Sequence, residues 1–319
     1  MSAATANKNS GHIHVCVALG EAWRAQFSDM RSHLPGLLKG DDSEELHRFR
    51  IALRQTRALL KIARDVIPDA DKFVTEFKWL AAAMGTLRDL DIQLQYVRDF
   101  SVIEPNLAAN AAAIEPILVQ LEIQRAQQQA QLMNIFDSDR CRELLAAWQQ
   151  FISGLPQLSA QTSREVEKSK CVDFSRAART PLAGWAMVTI IRQSRQILKA
   201  GVLVDEKTPA PVLHQLRIRC KRLRYVLESL APFDKKLHLK SLLEKLAALQ
   251  KILGAHQDAI TAAAQWQILM VHFSATSLPA SVDRMALLLH WIEIAWREQR
   301  EARAQLPHAL LAFAKFCKF

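Results

Sequence analysis

Two segments of this chain each carry a histidine followed by evenly spaced cations. The first is HRFRIALRQTR, from His47 to Arg57, and the second is HQLRIRCKRLR, from His214 to Arg224. In both segments a cation follows the histidine by 3, 7 and 10 residues, so on a helix the four side chains fall within about 80° of one another. Guanidinium groups suit phosphate oxygens as paired donors, and lysine adds a point charge. Because like charges stacked in this way repel, the spacing predicts a polyanionic ligand.

We call these two faces the first and second stripe. The first stripe is His47, Arg50, Arg54, Arg57 and Lys61; the second is His214, Arg217, Lys221 and Arg224; Arg31 and Arg192, at matched places on the preceding helices, are expected to add one cation to each half. Glu228 stands where the repeat would place a counterpart of Lys61, so the second stripe is shorter. Arg219 and Arg222 fall on other faces of the second segment, and we expect them to face solvent.

A second matched motif follows each basic segment. It reads MGTLRD in the first half and ends at Asp89, and it reads LGAHQD in the second half and ends at Asp258. In each copy a glycine, Gly85 or Gly254, precedes the aspartate by four residues. Glycine inside a helix costs about 1 kcal/mol against alanine, so we expect close helix packing at both glycines. The two aspartates are predicted to accept hydrogen bonds from the stripes and hold the cationic side chains in place, and Arg88, Asp91 and Arg98 are candidates for extending that network.

The composition indicates an acidic partner but leaves its class open. The chain has 319 residues with 42 Lys and Arg against 32 Asp and Glu, a net charge of +10. Such a balance suits nucleic acid, an anionic membrane surface or an inorganic polyanion. The five cysteines are scattered without a CxxC pair, which predicts free thiols in a reducing compartment. No apolar run reaches the ~18 residues of a membrane span, so we expect a cytoplasmic protein.

The pattern along the chain predicts an all-α fold with an internal duplication. We expect a disordered N-terminus over residues 1–14, a first half over about 15–153, a linker over about 154–172, a second half over about 173–305 and a tail over 306–319. Expected helices run over about 15–39, 43–67, 69–99, 106–136, 139–152, 174–201, 212–231 (after a loop over 207–211), 234–273 and 280–303. The matched order of motifs predicts two similar helical bundles related by a pseudo-two-fold axis.

Aromatic residues favour an anion without bases. Single-stranded nucleic acids need aromatic side chains on which bases stack, and Phe49 and Tyr225 both lie off the charged arcs. The seven tryptophans occupy apolar helical positions and are interpreted as core residues. The sequence shows no glycine-rich phosphate loop, no Ser/His/Asp set and no paired carboxylates for catalysis.

The motifs HRFRIALRQTR, LRDLD, HQLRIRCKRLR and LGAHQD resemble those of the CHAD family, the conserved histidine α-helical domain, over about residues 15–305. The resemblance implies two four-helix bundles whose basic helices face each other around a central groove or pore. It also implies binding of inorganic polyphosphate by the stripe residues, and localisation to polyphosphate granules, as for some members. Many relatives carry a fused triphosphatase-like domain built of strands; this sequence shows no strand pattern and is expected to act without one.

The sequence therefore predicts a non-enzymatic polyphosphate-binding protein that uses no cofactor and no metal. Two alternatives remain open. One is a phosphoanhydride hydrolase or phosphotransferase that uses His47 or His214 as a reacting group. The other is a scaffold associated with nucleic acid or granules, with nucleic acid as a secondary partner.

Overall fold

The computed structural model describes residues 13–103, 111–157, 176–205, 207–233, 239–275 and 282–317, and within these ranges the prediction of an all-α fold is confirmed. The α-helices are α1 (Val15–Lys39), α2 (Ser43–Ala63), α3 (Lys72–Ala83), α4 (Gly85–Ile103), α5 (Ala111–Phe136), α6 (Asp139–Ser153), α7 (Leu182–Gly201), α8 (Ala210–Leu230), α9 (Leu239–Ala275) and α10 (Val282–Phe316). Short 3₁₀ helices cover Pro68–Asp71, Arg176–Arg179 and Ala231–Phe233.

The turn between α1 and α2 sets where the first basic helix begins. Helix α1 ends at Gly40, which adopts φ 77 and donates its N–H to the Gly36 carbonyl. A left-handed residue at this position favours glycine because it has no Cβ to clash. Asp42 then caps α2, its side chain accepting a hydrogen bond of 2.8 Å from the Glu44 N–H. These local signals fix the start of the helix that carries the first stripe.

The continuous third helix predicted over residues 69–99 is wrong. The chain forms a 3₁₀ turn, then α3, and breaks at Met84 before α4 begins at Gly85. The Arg50 guanidinium donates a hydrogen bond to the Met84 carbonyl, so this backbone acceptor has a partner from the first stripe. In the second half α9 runs unbroken through Gly254.

The predicted end of the last helix near Arg303 is also wrong, because α10 continues through Pro307 to Phe316. Proline removes one backbone donor and disfavours a helix interior. Here Leu306, Leu310 and Phe313 are buried on either side of it, and their burial offsets the lost hydrogen bond. The segment predicted as a tail over 306–319 is therefore helical through Phe316.

Chain ends and connections fall only partly within the described ranges. Of the N-terminus predicted to be disordered, residues 1–12 lie outside them, whereas Ile13 and His14 are paired: the Leu182 N–H donates to the Ile13 carbonyl at 2.8 Å, and His14 bridges to Pro181. The predicted linker lies outside the described residues from 158 onward, as do the predicted helix starts at residues 106, 174, 234 and 280.

Three groups of buried side chains hold the helices together. One lies mainly among α1, α2, α3 and α6, and a second among α7, α8, α9 and the C-terminal part of α10. The third draws on both halves, with Leu94 and Ile117 from α4 and α5 against Trp266 and Trp291 from α9 and α10. The halves thus share a core, and the prediction of two four-helix bundles related by a pseudo-two-fold axis stays a prediction.

Four cysteines are described, Cys16, Cys141, Cys220 and Cys317, and all are buried free thiols as predicted. Burial raises the pKa of Cys220 to about 12. Such thiols carry little thiolate at neutral pH and are poor nucleophiles. Cys171 lies outside the described residues.

Candidate functional site: a cationic cluster where the two basic helices meet

Helices α2 and α8 pack directly against each other, so the two stripes come together. Gln26 of α1 ties them from the buried side. Its amide oxygen accepts a hydrogen bond of 3.0 Å from Thr56 of α2, and its amide nitrogen donates one of 3.0 Å to Ser229 of α8. Because a buried polar link of this kind is satisfied in one register only, it helps to fix how the stripes face each other.

The centre of the site is a group of four cations, two from each stripe. Lys221 lies close enough to Arg217, Arg54 and Arg50 for their charges to interact. Burial and these three neighbours lower the pKa of Lys221 to about 8. Burial, with Arg54 as the next cause, lowers the pKa of Arg50 to about 10. Concentrated positive charge in a partly buried position is unfavourable without an anion.

The two matched aspartates approach this centre but act differently. Asp258 accepts a hydrogen bond from Arg217 at 3.0 Å. Asp89 makes no hydrogen bond to a stripe residue among the described residues. Burial raises the pKa of its carboxyl group, with Asp258 adding to the rise and with Arg50 and Arg54 opposing it. The aspartates therefore bring negative charge to the centre from both halves.

The two histidines differ in what surrounds them. Nδ1 of His214 lies 2.8 Å from the amide oxygen of Gln257; since that oxygen only accepts, Nδ1 carries the proton. His47 makes no hydrogen bond within the described part of the chain. Burial, followed by the charge of Arg88, lowers its pKa. Gln257 and Arg88 occupy matched places, one residue before the aspartates.

An open groove of about 310 Å³ extends from the first stripe toward α3. Its lining residues are Arg50, Leu53, Arg54, Arg57, Lys78, Ala81 and Ala82. Lys61, which follows Arg57 by one helical turn, does not line the groove, but its charge interacts with that of Arg222 on α8 and that of the lining residue Lys78. Lys78 gave no signal in the sequence, because it lies on a separate helix. Arg222 was expected to face solvent, which is wrong: it is half-buried, and its pKa is lowered by burial.

Arg224 of the second stripe has acidic and amide partners. Its guanidinium donates to Glu228 at 2.6 Å and to Gln250 at 3.3 Å. This internal ion pair partly neutralises the outer end of the second stripe. The matched residue Arg57 makes no hydrogen bond among the described residues.

Arg31 and Arg192 lie apart from the groove that the first stripe lines. Both are exposed, Arg31 on α1 and Arg192 on α7. Arg31 lines a different groove of about 250 Å³ between α1 and α6, which shares no lining residue with the first. The structure therefore groups the stripe residues without these two cations.

Several expectations about neighbouring residues are wrong. A Cβ at Gly85 would meet nothing within 4 Å, and one at Gly254 would meet only Asp258 at 4.0 Å. The close helix packing that was expected at these two glycines is therefore absent. Asp91 pairs with Arg125 at 2.7 Å, away from the stripes. Of the three residues expected to extend the network, Arg88 has a charge that acts on the stripe residues His47 and Arg50.

Phe49 lies in the core, away from the stripes, as expected, whereas Tyr225 and Trp296 differ from the interpretation of the sequence. Phe49 is buried and packs edge-on against Phe136 at 5.6 Å. Tyr225 lies near enough to Arg50 to affect its pKa, so it approaches the first stripe from α8. Trp296 is 38% exposed and is therefore not a core residue.

Two further features bear on the kind of ligand. Among the described residues, no three His, Cys, Asp or Glu side chains cluster as they would to hold a metal ion. The same part of the chain contains no helix with the length and apolar character needed to cross a membrane.

Comparison with known proteins identifies the family. The CHAD domain family model matches residues 21–267, and the chain belongs to this family. Its fold is similar to the crystal structure of the CHAD domain from the plant Ricinus communis, with a TM-score of 0.73 and 19% identity over 98% of this chain and 96% of that chain. It is also similar to PptA from Streptomyces chartreusis, with a TM-score of 0.62 and 17% identity over 91% of this chain and 99% of that chain. At these identities the likeness shows the fold alone. No curated protein matches the chain in sequence.

Proposed function

We propose that this protein binds inorganic polyphosphate at the cationic cluster formed by the two stripes, and does so without hydrolysing it. The observation that carries the proposal is the position of Arg54. Its charge acts on Arg50, Arg57 and Lys221, yet it makes no ion pair within the described residues. Asp89 is the acidic group on which its charge also acts, and one carboxylate among several cations leaves a net positive charge that an external anion would neutralise.

The chemistry of the groove favours a polyanion without bases. The residues that line it offer guanidinium, ammonium and aliphatic groups, and none of them is aromatic. Base stacking contributes about 1–3 kcal/mol per base in proteins that bind single strands, and this lining lacks that contribution. Polyphosphate has charged phosphate groups and no bases, and the cationic residues of the lining can bind such groups without base stacking.

The decisive experiment reverses charge at the centre. The double variant Arg54→Glu/Lys221→Glu should bind long-chain polyphosphate at least about a hundredfold more weakly, because several phosphate contacts are lost together. The matched control is Lys199→Glu/Lys240→Glu, which makes the same change in net charge at exposed positions on α7 and α9. Circular dichroism establishes that both variants fold. Equal binding by the two folded variants refutes the proposed site.

Two further measurements separate the alternatives. Release of orthophosphate from polyphosphate, with and without Mg²⁺, detects a hydrolase, and we expect none. Competition by single-stranded DNA of equal charge across a salt series detects a nucleic-acid scaffold. Polyphosphate should compete more strongly at every salt concentration, and both affinities should fall as salt rises. Association with polyphosphate granules in cells follows from the same binding, and a fluorescent fusion tests it.

A further inference from the structure

The repeat aligns a set of positions beside the second stripe with the positions that line or adjoin the first groove, and the residues at the matched positions differ. We call the matched positions the second groove. Aligning His47 with His214 matches Arg57 with Arg224 and Lys61 with Glu228. Aligning Gly85 with Gly254 matches Lys78 with Ala247, Ala81 with Gln250 and Ala82 with Lys251. The register is supported by burial, because Phe77, Leu80 and Met84 match the buried Leu246, Leu249 and Leu253. The two grooves can therefore be compared position by position.

Charge distinguishes the two grooves. In the first, Lys61 interacts with Arg222, Arg57 and Lys78, all of them cations. In the second, the matched acid Glu228 accepts a hydrogen bond of 2.6 Å from Arg224, and Ala247 brings no charge. Lys251, an exposed residue, contributes one positive charge to the second groove. The outer part of the first groove is thus strongly cationic, and that of the second is close to neutral.

Side-chain volume also distinguishes them. Ala81 lines the first groove and leaves it open. The matched Gln250 is buried, donates to the Cys220 carbonyl at 2.6 Å and accepts from Arg224 at 3.3 Å. This larger side chain thus stands where the first groove has an alanine, and it holds the Arg224 guanidinium in place.

Resting on the proposed function, we infer that polyphosphate binds asymmetrically: from the shared centre at Arg54 and Lys221 the chain extends only along the first groove, where Lys78 and Arg222 are additional phosphate ligands. The second groove is closed to it by Gln250 and the Arg224–Glu228 pair. Burial and the neighbouring cations lower the pKa of Lys61, a cost that bound phosphate relieves. The site is then a channel with one open end, despite the duplicated sequence.

A matched pair of variants tests the asymmetry. Lys78→Glu and Lys251→Glu make the same change in net charge, one beside each groove. For long-chain polyphosphate we expect Lys78→Glu to weaken binding about tenfold, because an attraction becomes a repulsion, and Lys251→Glu to weaken it less than about twofold. Tripolyphosphate, which is short enough to occupy the centre alone, should bind equally to both variants. Equal losses for long chains in the two variants overturn the asymmetric path.

A neutral variant provides an independent test. Ala81→Gln introduces into the first groove the side chain that fills the second, without changing charge. It should weaken binding of long chains severalfold while thermal unfolding stays close to that of the wild type. Unchanged long-chain affinity in this variant contradicts the inference. If the wild-type protein fails to bind polyphosphate of any length, it is the proposed function that fails, so the two failures are distinguishable.

Discussion

Residues of the same type at matched positions have different roles because their neighbours differ. Arg57 and Arg224 occupy the same place in the two stripes. Arg224 is held by Glu228 and Gln250, whereas Arg57 makes no hydrogen bond among the described residues and its charge interacts with the cations Arg54 and Lys61. The histidines differ similarly, since Gln257 accepts from His214 while burial, followed by the charge of Arg88, lowers the pKa of His47. The availability of a cation for a ligand is therefore set by its surroundings.

Lys221 makes polyphosphate binding sensitive to pH. Its pKa is lowered to about 8, so the charged form dominates at pH 7 and the neutral form above pH 9. Bound polyphosphate favours the charged form, and binding should therefore be stronger below this pKa. We expect affinity at pH 9.5 to be about fivefold lower than at pH 7, a loss of about 1 kcal/mol, as titration calorimetry would measure.

Lys221→Arg is the control for that profile, because a guanidinium in this cluster stays mostly protonated up to pH 9.5: even Arg50 keeps a pKa of about 10. The variant should keep its affinity between pH 7 and pH 9.5. A wild-type profile that is equally flat would show that Lys221 does not titrate in the bound site.

At the scale of the elements, two glycines lie at helix ends, but the backbone conformation requires glycine at only one of them. Gly40 ends α1 with φ 77, and a Cβ there would approach the Gln129 side chain at 2.8 Å. That glutamine donates to the Leu37 and Leu38 carbonyls. Gly85 begins α4 in a helical conformation with open space around it. Only the first position requires glycine.

Alanine substitutions at these glycines should change stability in opposite directions. Gly40→Ala should lower the free energy of unfolding by about 1–2 kcal/mol, because a left-handed backbone disfavours a Cβ. Gly85→Ala should raise it by about 0.4–1 kcal/mol, through the lower entropy of the unfolded chain. Urea denaturation measures both. A stabilising Gly40→Ala would be inconsistent with the positive φ.

At the scale of the whole molecule, two contacts between the halves bear on the site. The basic helices α2 and α8 meet at the candidate site, and α4 and α5 share a buried core with α9 and α10. Trp266 and Trp291 stand at the centre of that core, with ring centroids 4.9 Å apart. This shared core holds the two halves in one arrangement, which the facing stripes need.

Loss of a tryptophan from the shared core should destabilise the whole protein. Trp291→Ala is expected to lower the free energy of unfolding by about 3–5 kcal/mol, since it empties a large buried volume. Trp296→Ala, on the same helix but partly exposed, should cost about 1 kcal/mol. Thermal unfolding followed by circular dichroism compares them. Equal costs would argue against a shared core centred on Trp291.

The sequence by itself determined the helical fold, the family and the two stripes. Helical periodicity, cap residues and the spacing of His47, Arg50 and Arg54 are local properties, and local geometry alone decides which side chains share a helix face. The turn at Gly40 and the start of α2 follow from the same kind of signal. For such features no knowledge of distant contacts is needed.

Only the tertiary structure decided which cations stand together and which are neutralised. Lys78 lines the first groove because α3 packs beside α2, and the charge of Arg222 acts on Lys61 because α8 does so too. Arg31 lines a different groove, between α1 and α6. The continuation of α10 through Pro307 was missed because burial of apolar side chains outweighs local preference. At the break at Met84, the carbonyl accepts a hydrogen bond from Arg50 of a distant helix, a contact that the local sequence does not reveal. Charge acts through space, so a site built from cations on several helices depends on the packing that brings those helices together.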